Sequence, residues 1–190
     1  DKSGKGVVMD KNIVLIGFMG TGKSSVGFRL AAKFNWEFID MDREIENING
    51  LSVSEIFRRY GERRFRSEEN LLAKKLSQRN HLVIATGGGA VLNPENIAVL
   101  RKNGIIILLE ARAEDIWARV NRKKGTRPLL KGASCAEDIE KILATRAAYY
   151  DCADIRVNTS DKEMETIIEE IIQKLEEIPD QSYPDKSSAP

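Results

Sequence analysis

Polar and apolar positions along this chain fall into blocks of two kinds. Short, mostly apolar runs stand at Asn12-Ile13-Val14-Leu15-Ile16, Glu37-Phe38-Ile39, Leu82-Val83-Ile84-Ala85, Ile105-Ile106-Ile107-Leu108-Leu109 and Ile155-Arg156-Val157. Their length and composition predict strands over 12–17, 37–39, 82–85, 105–109 and 155–157. Between them, apolar residues recur at helical spacing. This predicts helices over 23–34, 41–49, 52–60, 62–79, 93–103, 113–120, 134–150 and 161–178. Phe65, Leu72 and Leu76 should point inward from the fourth of these. In the last, Met164, Ile167, Ile168, Ile171, Ile172, Leu175 and Ile178 form one stripe. Punctuation supports the boundaries. Ser52-Val53-Ser54-Glu55, Ser134-Cys135-Ala136-Glu137 and Ser160-Asp161-Lys162-Glu163 read as capping boxes. Asn93-Pro94 reads as an N-cap and first helical position, and Gly50 and Gly61 suit helix stops.

Strands alternating with helices predict an α/β fold: a parallel sheet with right-handed crossovers and helices on both faces. The run 105–109 is apolar throughout and should be covered on both sides. Ligands of such sheets bind beyond the carboxyl ends of the strands, so the residues that follow each strand carry the chemistry.

After the first strand comes Gly17-Phe18-Met19-Gly20-Thr21-Gly22-Lys23-Ser24, which fits the spacing G-x-x-x-x-G-K-[ST]. Strand, glycine loop and helix in that order make a phosphate site. Glycines let successive N–H groups turn toward an anion, and the helix N-terminus adds partial positive charge. Lys23 can reach the β- and γ-phosphates, and the Ser24 hydroxyl can ligate Mg²⁺. The second strand runs into Asp40-Met41-Asp42. One aspartate would satisfy a helix N-cap. The pair suggests that one carboxylate serves Mg²⁺, through a water, and the other takes a proton from an acceptor hydroxyl. The third strand ends in Gly87-Gly88-Gly89 and lacks the aspartate that many phosphate-loop proteins place there. Asp40 is the candidate for that magnesium role. Three successive glycines cost backbone entropy, which suggests close approach of backbone to a substrate.

Arg66 and Glu69 share a helix face. They form either a surface ion pair or a fork held to grip a carboxylate. Arg146, amid Ala144, Ala147 and Ala148, is a surface cation or a second anion grip. The basic, glycine-bearing segment 121–134, with Arg127-Pro128-Leu129-Leu130, reads as a lid that excludes water and supplies a cation.

Composition narrows the class. With 42% hydrophobic and 31% charged residues in 190, the chain reads as one soluble domain over 11–178. A flexible segment over 1–10 and a disordered, proline- and serine-rich tail over 179–190 should flank it. A net charge of +1 argues against a nucleic-acid partner. The cluster Arg58, Arg59, Arg63, Arg64 and Arg66 does not reverse this. Glu62, Glu68 and Glu69 offset it, and its aromatic platforms are limited to Tyr60 and Phe65. Cys135 and Cys152 show no metal or redox spacing, which suits a reducing compartment. His81 has no second histidine to work with and reads as a surface or strand-edge residue. No apolar run is long enough to cross a bilayer, and residues 1–6 show no signal-peptide pattern. A cytoplasmic location with no membrane partner is expected.

From about residue 11 to 175 the chain resembles shikimate kinases. The resemblance rests on an ordered set: Gly17 to Ser24, Asp40-x-Asp42, Phe65-Arg66 with Glu69, Gly87-Gly88-Gly89, Arg127-Pro128-Leu129-Leu130, and Arg146. It implies a five-stranded parallel sheet like that of nucleoside monophosphate kinases, with a closing lid. It also implies transfer of the ATP γ-phosphoryl group to the 3-hydroxyl of shikimate, on the route to chorismate and aromatic amino acids. By the same resemblance Asp42, Arg66, Gly88 and Arg146 hold shikimate, with Asp42 at the acceptor hydroxyl. Gly20, Thr21, Gly22, Lys23, Ser24, Ser25 and Arg127 serve the ATP phosphates, and Ser24 with Asp40 serves Mg²⁺. Arg119 falls near the family's adenine-side arginine, and a monomer is expected. The rival readings are a gluconate or nucleotide kinase of the same fold and a nucleotide-dependent switch. A guanine-selecting Asn-Lys-x-Asp pattern is missing from the sequence.

Overall fold

A computed structural model describes residues 10–122 and 132–179. Its centre is a sheet of five parallel strands: β1 (Asn12–Ile16), β2 (Glu37–Asp40), β3 (Leu82–Ala85), β4 (Gly104–Glu110) and β5 (Ile155–Asn158), in the order β2-β3-β1-β4-β5. The helices are α1 (Lys23–Phe34), α2 (Met41–Asn49), α3 (Val53–Tyr60), α4 (Glu62–Leu76), α5 (Pro94–Arg101), α6 (Ala113–Asn121), α7 (Ala136–Arg146) and α8 (Met164–Glu176).

The period-two geometry of a strand sends alternate side chains of β1 and β4 to opposite faces. Ile13, Leu15, Ile105 and Ile107 meet Val26 and Leu30 of α1 and Ile167, Ile168, Ile171 and Leu175 of α8. Val14, Ile16, Ile106 and Leu108 meet Met41 and Ile45 of α2, Ile56 of α3, Phe65, Leu72 and Leu76 of α4, and Ile97 and Leu100 of α5. Each fully buried Ile or Leu contributes about 1.5–3 kcal/mol by leaving water. A third cluster packs Phe18 and Met19 of the phosphate loop against Ala113, Ile116 and Val120 of α6 and Ile139 of α7. The loop is thereby bolted to the helices that flank residues 123–131.

Several boundaries differ from the sequence expectation, four of them with a visible cause or replacement. Helix α4 stops at Leu76 rather than 79. The Asn12 side chain donates to Arg79 O at 2.7 Å and accepts from Leu82 N at 2.9 Å, and Asn103 Nδ2 donates to Arg79 O at 2.8 Å. Both amides hold the Arg79 carbonyl, which turns the chain out of the helix, and Asn12 ties the start of β3 to β1. Helix α7 ends at Arg146, and a 3₁₀ segment, Ala147–Cys152, replaces its expected last turn. The box at Ser134 is displaced by one residue: Ser134 N and Oγ both bond Asp138 Oδ2, at 2.8 and 3.0 Å. The box at Ser160 does not form. Helix α8 starts at Met164 after Glu163, and Ser160 Oγ instead accepts from Arg112 N at 2.9 Å. At Ser52, Oγ accepts from Glu55 N at 3.1 Å as expected, while the Glu55 carboxylate turns to Arg58 and Arg59. Asn93 caps α5 through Glu95 N at 3.0 Å. His81 stands in the turn before β3, with φ 59°, half exposed near Asp10.

Candidate active site

The chain leaves β1 toward β2 on one side, and it leaves β3 toward β4 on the other. Connections that diverge in this way open a crevice at the carboxyl ends of β1 and β3. The phosphate loop lies there. Gly20 and Gly22 adopt φ of 77° and 100°, in the left-handed region that side chains disfavour. Lys23, 8% exposed, folds back across the loop. Its Nζ donates to Gly17 O at 2.7 Å and to Phe18 O at 2.9 Å. Ser24 and Ser25 are exposed at the start of α1. Ser24 Oγ donates to Asp40 Oδ2 at 2.6 Å, while Asp40 Oδ1 accepts from Arg43 N at 3.3 Å and caps α2. One aspartate thus caps a helix and pairs with the phosphate-loop serine.

That pair of oxygens fits Mg²⁺. Mg²⁺ takes hard oxygen donors, and the Ser24 hydroxyl and the Asp40 carboxylate, hydrogen-bonded to each other at 2.6 Å, supply two of that kind, the carboxylate acting through a water.

On the other side of the crevice, Asp42 occupies the second position of α2, beside the triple glycine. A methyl group placed on Gly87 would come within 2.7 Å of Asp42 Oδ1 and 3.0 Å of Glu69 Oε2. One placed on Gly88 would meet Met19 N at 3.2 Å, and one on Gly89 would meet Arg66 Nη1 at 2.8 Å. The glycines are therefore the condition for two carboxylates, an arginine and the phosphate loop to converge. Arg66 Nη1 donates to Glu69 Oε1 at 3.1 Å, and its Nη2 donates to Glu62 Oε1 at 3.2 Å. Arg146 reaches in from the end of α7. Its Nη1 donates to Gly88 O at 3.1 Å, and its guanidinium lies 5.2 Å from the Phe18 ring centroid. Two guanidiniums thus flank one glycine pair.

Glu69 has 0% exposure, so its contact with Arg66 is not a surface ion pair. Burial pushes its carboxyl up to about 6. The Arg66 guanidinium pulls the other way, and the charges of Asp42 and Glu62 add to the rise.

Arg119, on α6, is on the far side of the phosphate loop from Asp42. Its Nη1 donates to Gly20 O at 3.0 Å and lies 3.3 Å from Thr159 Oγ1. Arg127 and the core of the expected lid lie outside the described residues, as do the expected flexible N-terminus and most of the tail.

A family model described as shikimate kinase matches residues 19–176. The chain belongs to the shikimate kinase family. The shikimate kinase of Pelotomaculum thermopropionicum is 51% identical over 167 residues, 88% of this chain and 96% of that protein. A solved structure of shikimate kinase from Acinetobacter baumannii in complex with shikimate superposes with TM-score 0.83 at 33% identity. It covers 90% of this chain and 94% of that one. A gluconokinase from Sinorhizobium meliloti superposes with TM-score 0.54 at 17% identity, which reports a shared fold alone.

The structure gathers the expected residues of this family member into two groups that meet at Met19 and Gly88. Gly20, Thr21, Gly22, Lys23, Ser24, Ser25, Asp40 and Arg119 surround the phosphate loop. Asp42, Arg66, Gly88 and Arg146 surround the triple glycine. Sequence reasoning missed three participants. Phe18 supports Arg146, and Glu62 holds the second edge of Arg66. Thr159 touches the phosphate loop from a point 138 residues away. The i, i+4 spacing of Glu62 and Arg66 could have revealed that pair. No local pattern could have revealed the others.

Glu69 sets a pH dependence with opposite signs for stability and use of the acceptor. Because its folded-state pKa is raised, its contribution to stability is complete below the ordinary value of 4.5. It is lost as pH rises through about 6, a change of about 2 kcal/mol. Ionisation over the same range gives Arg66 its full counter-charge. The expected result is that kcat/KM for the acceptor climbs as pH rises through about 6 and then levels. In Glu69→Gln this rise disappears and the acceptor KM stays high at all pH. Steady-state kinetics from pH 5 to 8, with thermal melts at each pH, measure both.

Proposed function

We propose that this chain transfers the γ-phosphoryl group of ATP to the 3-hydroxyl of shikimate, giving ADP and shikimate 3-phosphate. The observation that carries the reading is the flanking of Gly88 and Gly89 by Arg66 and Arg146, beside Asp42 and against the phosphate loop. A small acceptor with a carboxylate and a hydroxyl matches that layout. The two guanidiniums hold the carboxylate, and the hydroxyl then faces Asp42 and the γ-phosphate.

Phosphoryl transfer through a loose transition state needs positioning and charge stabilisation more than covalent chemistry. Asp42 orients the acceptor hydroxyl and accepts its proton as the new P–O bond forms. Lys23, with the N–H groups of the loop and of the first turn of α1, meets the charge on the phosphates. Ser24 and Asp40 would hold Mg²⁺, which would supply charge neutralisation at the phosphates. Arg127 from the lid segment would add a cation and help exclude water. Arg119, whose guanidinium lies against Gly20 O and Thr159, is the proposed adenine-side residue. A monomer acting in the cytoplasm, with no nucleic-acid partner, completes the proposal. Among the described residues, no helix is long and apolar enough to cross a membrane.

The test is ADP release from ATP and Mg²⁺ with shikimate, gluconate, a nucleoside monophosphate or no acceptor. Release should depend on shikimate by at least ~100-fold over the background without acceptor. Equal or faster release with gluconate or the nucleotide would reassign the acceptor. Release independent of any acceptor would replace the kinase reading with a nucleotide-driven switch.

A further inference from the structure

Thr159 lies just past β5, 4% exposed. Its Oγ1 donates to Thr21 O at 2.9 Å and lies 3.1 Å from Glu110 O at the end of β4. Its own N–H donates to the same Glu110 O at 2.8 Å, so the hydroxyl is fixed by the sheet rather than by a mobile loop. Arg119 adds a second tie, from Nη1 to Gly20 O at 3.0 Å. Two consecutive carbonyls of the phosphate loop are therefore held by side chains from distant parts of the chain.

The described peptide bonds are all trans. In a trans peptide the carbonyl of one residue and the N–H of the next point in opposite directions. Holding Thr21 O toward Thr159 turns the Gly22 N–H away from β5 and into the loop. This peptide needs such a tie. Gly22, at φ 100°, has no side chain to restrict its φ, so on that side of the Thr21–Gly22 plane the orientation is set by what holds the Thr21 carbonyl. A rotated plane would present an oxygen, not an N–H, to an incoming phosphate.

We propose that Thr159 is a positioning residue for the nucleotide phosphates. Its hydroxyl fixes the Thr21–Gly22 peptide before ATP arrives, so that the Gly22 N–H already faces the place the β-phosphate takes. The inference rests on the kinase reading only in taking the loop as a phosphate site. It assigns Thr159 no contact with ATP or with the acceptor.

The experiment titrates ADP with Mg²⁺ into the protein by calorimetry, with no acceptor present, for wild type, Thr159→Val and Thr159→Ser. Valine keeps the shape and loses the hydroxyl, whereas serine keeps the hydroxyl. Thr159→Val should weaken ADP binding ~10-fold or more, the scale of one buried hydrogen bond lost with its partner left behind. It should raise KM for ATP similarly and leave KM for the acceptor unchanged. Thr159→Ser should bind ADP within ~3-fold of wild type. If Thr159→Val does not fold, Thr159→Ala is compared with Thr159→Ser, a pair differing by the hydroxyl alone. ADP binding by the hydroxyl-free variant equal to wild type overturns the proposal. So does an equal loss in Thr159→Ser, which would make the effect one of packing. Wild type that binds ADP but phosphorylates a different acceptor overturns the shikimate reading and leaves this one standing.

Discussion

Asp42→Asn lowers kcat at least ~100-fold while the protein stays folded; that is the expected result of removing the acceptor hydroxyl's proton partner. The substitution keeps the volume and the position on α2, so packing against Gly87 is retained. What disappears is a negative charge with the basicity to accept a proton. A second readout separates this from a packing defect. The Asp42 charge helps hold the Glu69 carboxyl high. Asp42→Asn should therefore move the acid limb of the kcat/KM profile below 6, toward the ordinary glutamate value. A variant that keeps near-normal turnover would remove Asp42 from the chemistry. One that loses turnover without moving the limb would separate it electrostatically from Glu69.

Arg66→Lys weakens kcat/KM for shikimate by ~2–4 kcal/mol, the cost of breaking a buried, hydrogen-bonded charge pair. Lysine keeps the charge but not the fork. Here the fork is held on two edges, by Glu69 at 3.1 Å and Glu62 at 3.2 Å, with the head 5.4 Å from the Phe65 ring centroid. That clamp fixes the plane in which a substrate carboxylate can be gripped, and an ammonium on a flexible stem cannot reproduce it. KM for ATP should change less than ~2-fold, because Arg66 lies on the acceptor side. A shikimate amide gives the companion measurement. Wild type should reject it strongly, and Arg66→Ala should discriminate far less. Equal use of acid and amide by wild type would mean that there is no carboxylate clamp.

Much of this was legible in the residues because the signals are local. Glycine spacing before an amphipathic helix defines a phosphate loop wherever it occurs, since three conditions meet within a dozen residues: left-handed backbone, a helix N-terminus and a lysine. Asp40 and Asp42 were legible as a pair at a strand end. Which oxygen serves which purpose was not, because capping of α2 and pairing with Ser24 both fall to Asp40 and are decided across a gap of sixteen residues. Arg66 and Glu69 were legible as helix neighbours. The burial of Glu69 was not, because it depends on Gly87 arriving from β3.

The sequence by itself determined the strand and helix succession, the parallel sheet and the residue types at each strand end. The elements and the strand-end residues follow from periodicity or spacing within one segment, and the parallel sheet from the alternation of strands with helices. Tertiary structure decided the strand order β2-β3-β1-β4-β5, which places the triple glycine against the phosphate loop. It also decided the early end of α4, where Asn12 and Asn103, distant in sequence, both hold the Arg79 carbonyl. The hold of Thr159 on the phosphate loop is of the same kind. The physical reason is that a hydrogen bond between distant segments needs both partners delivered in three dimensions. No local pattern encodes where the second partner will be.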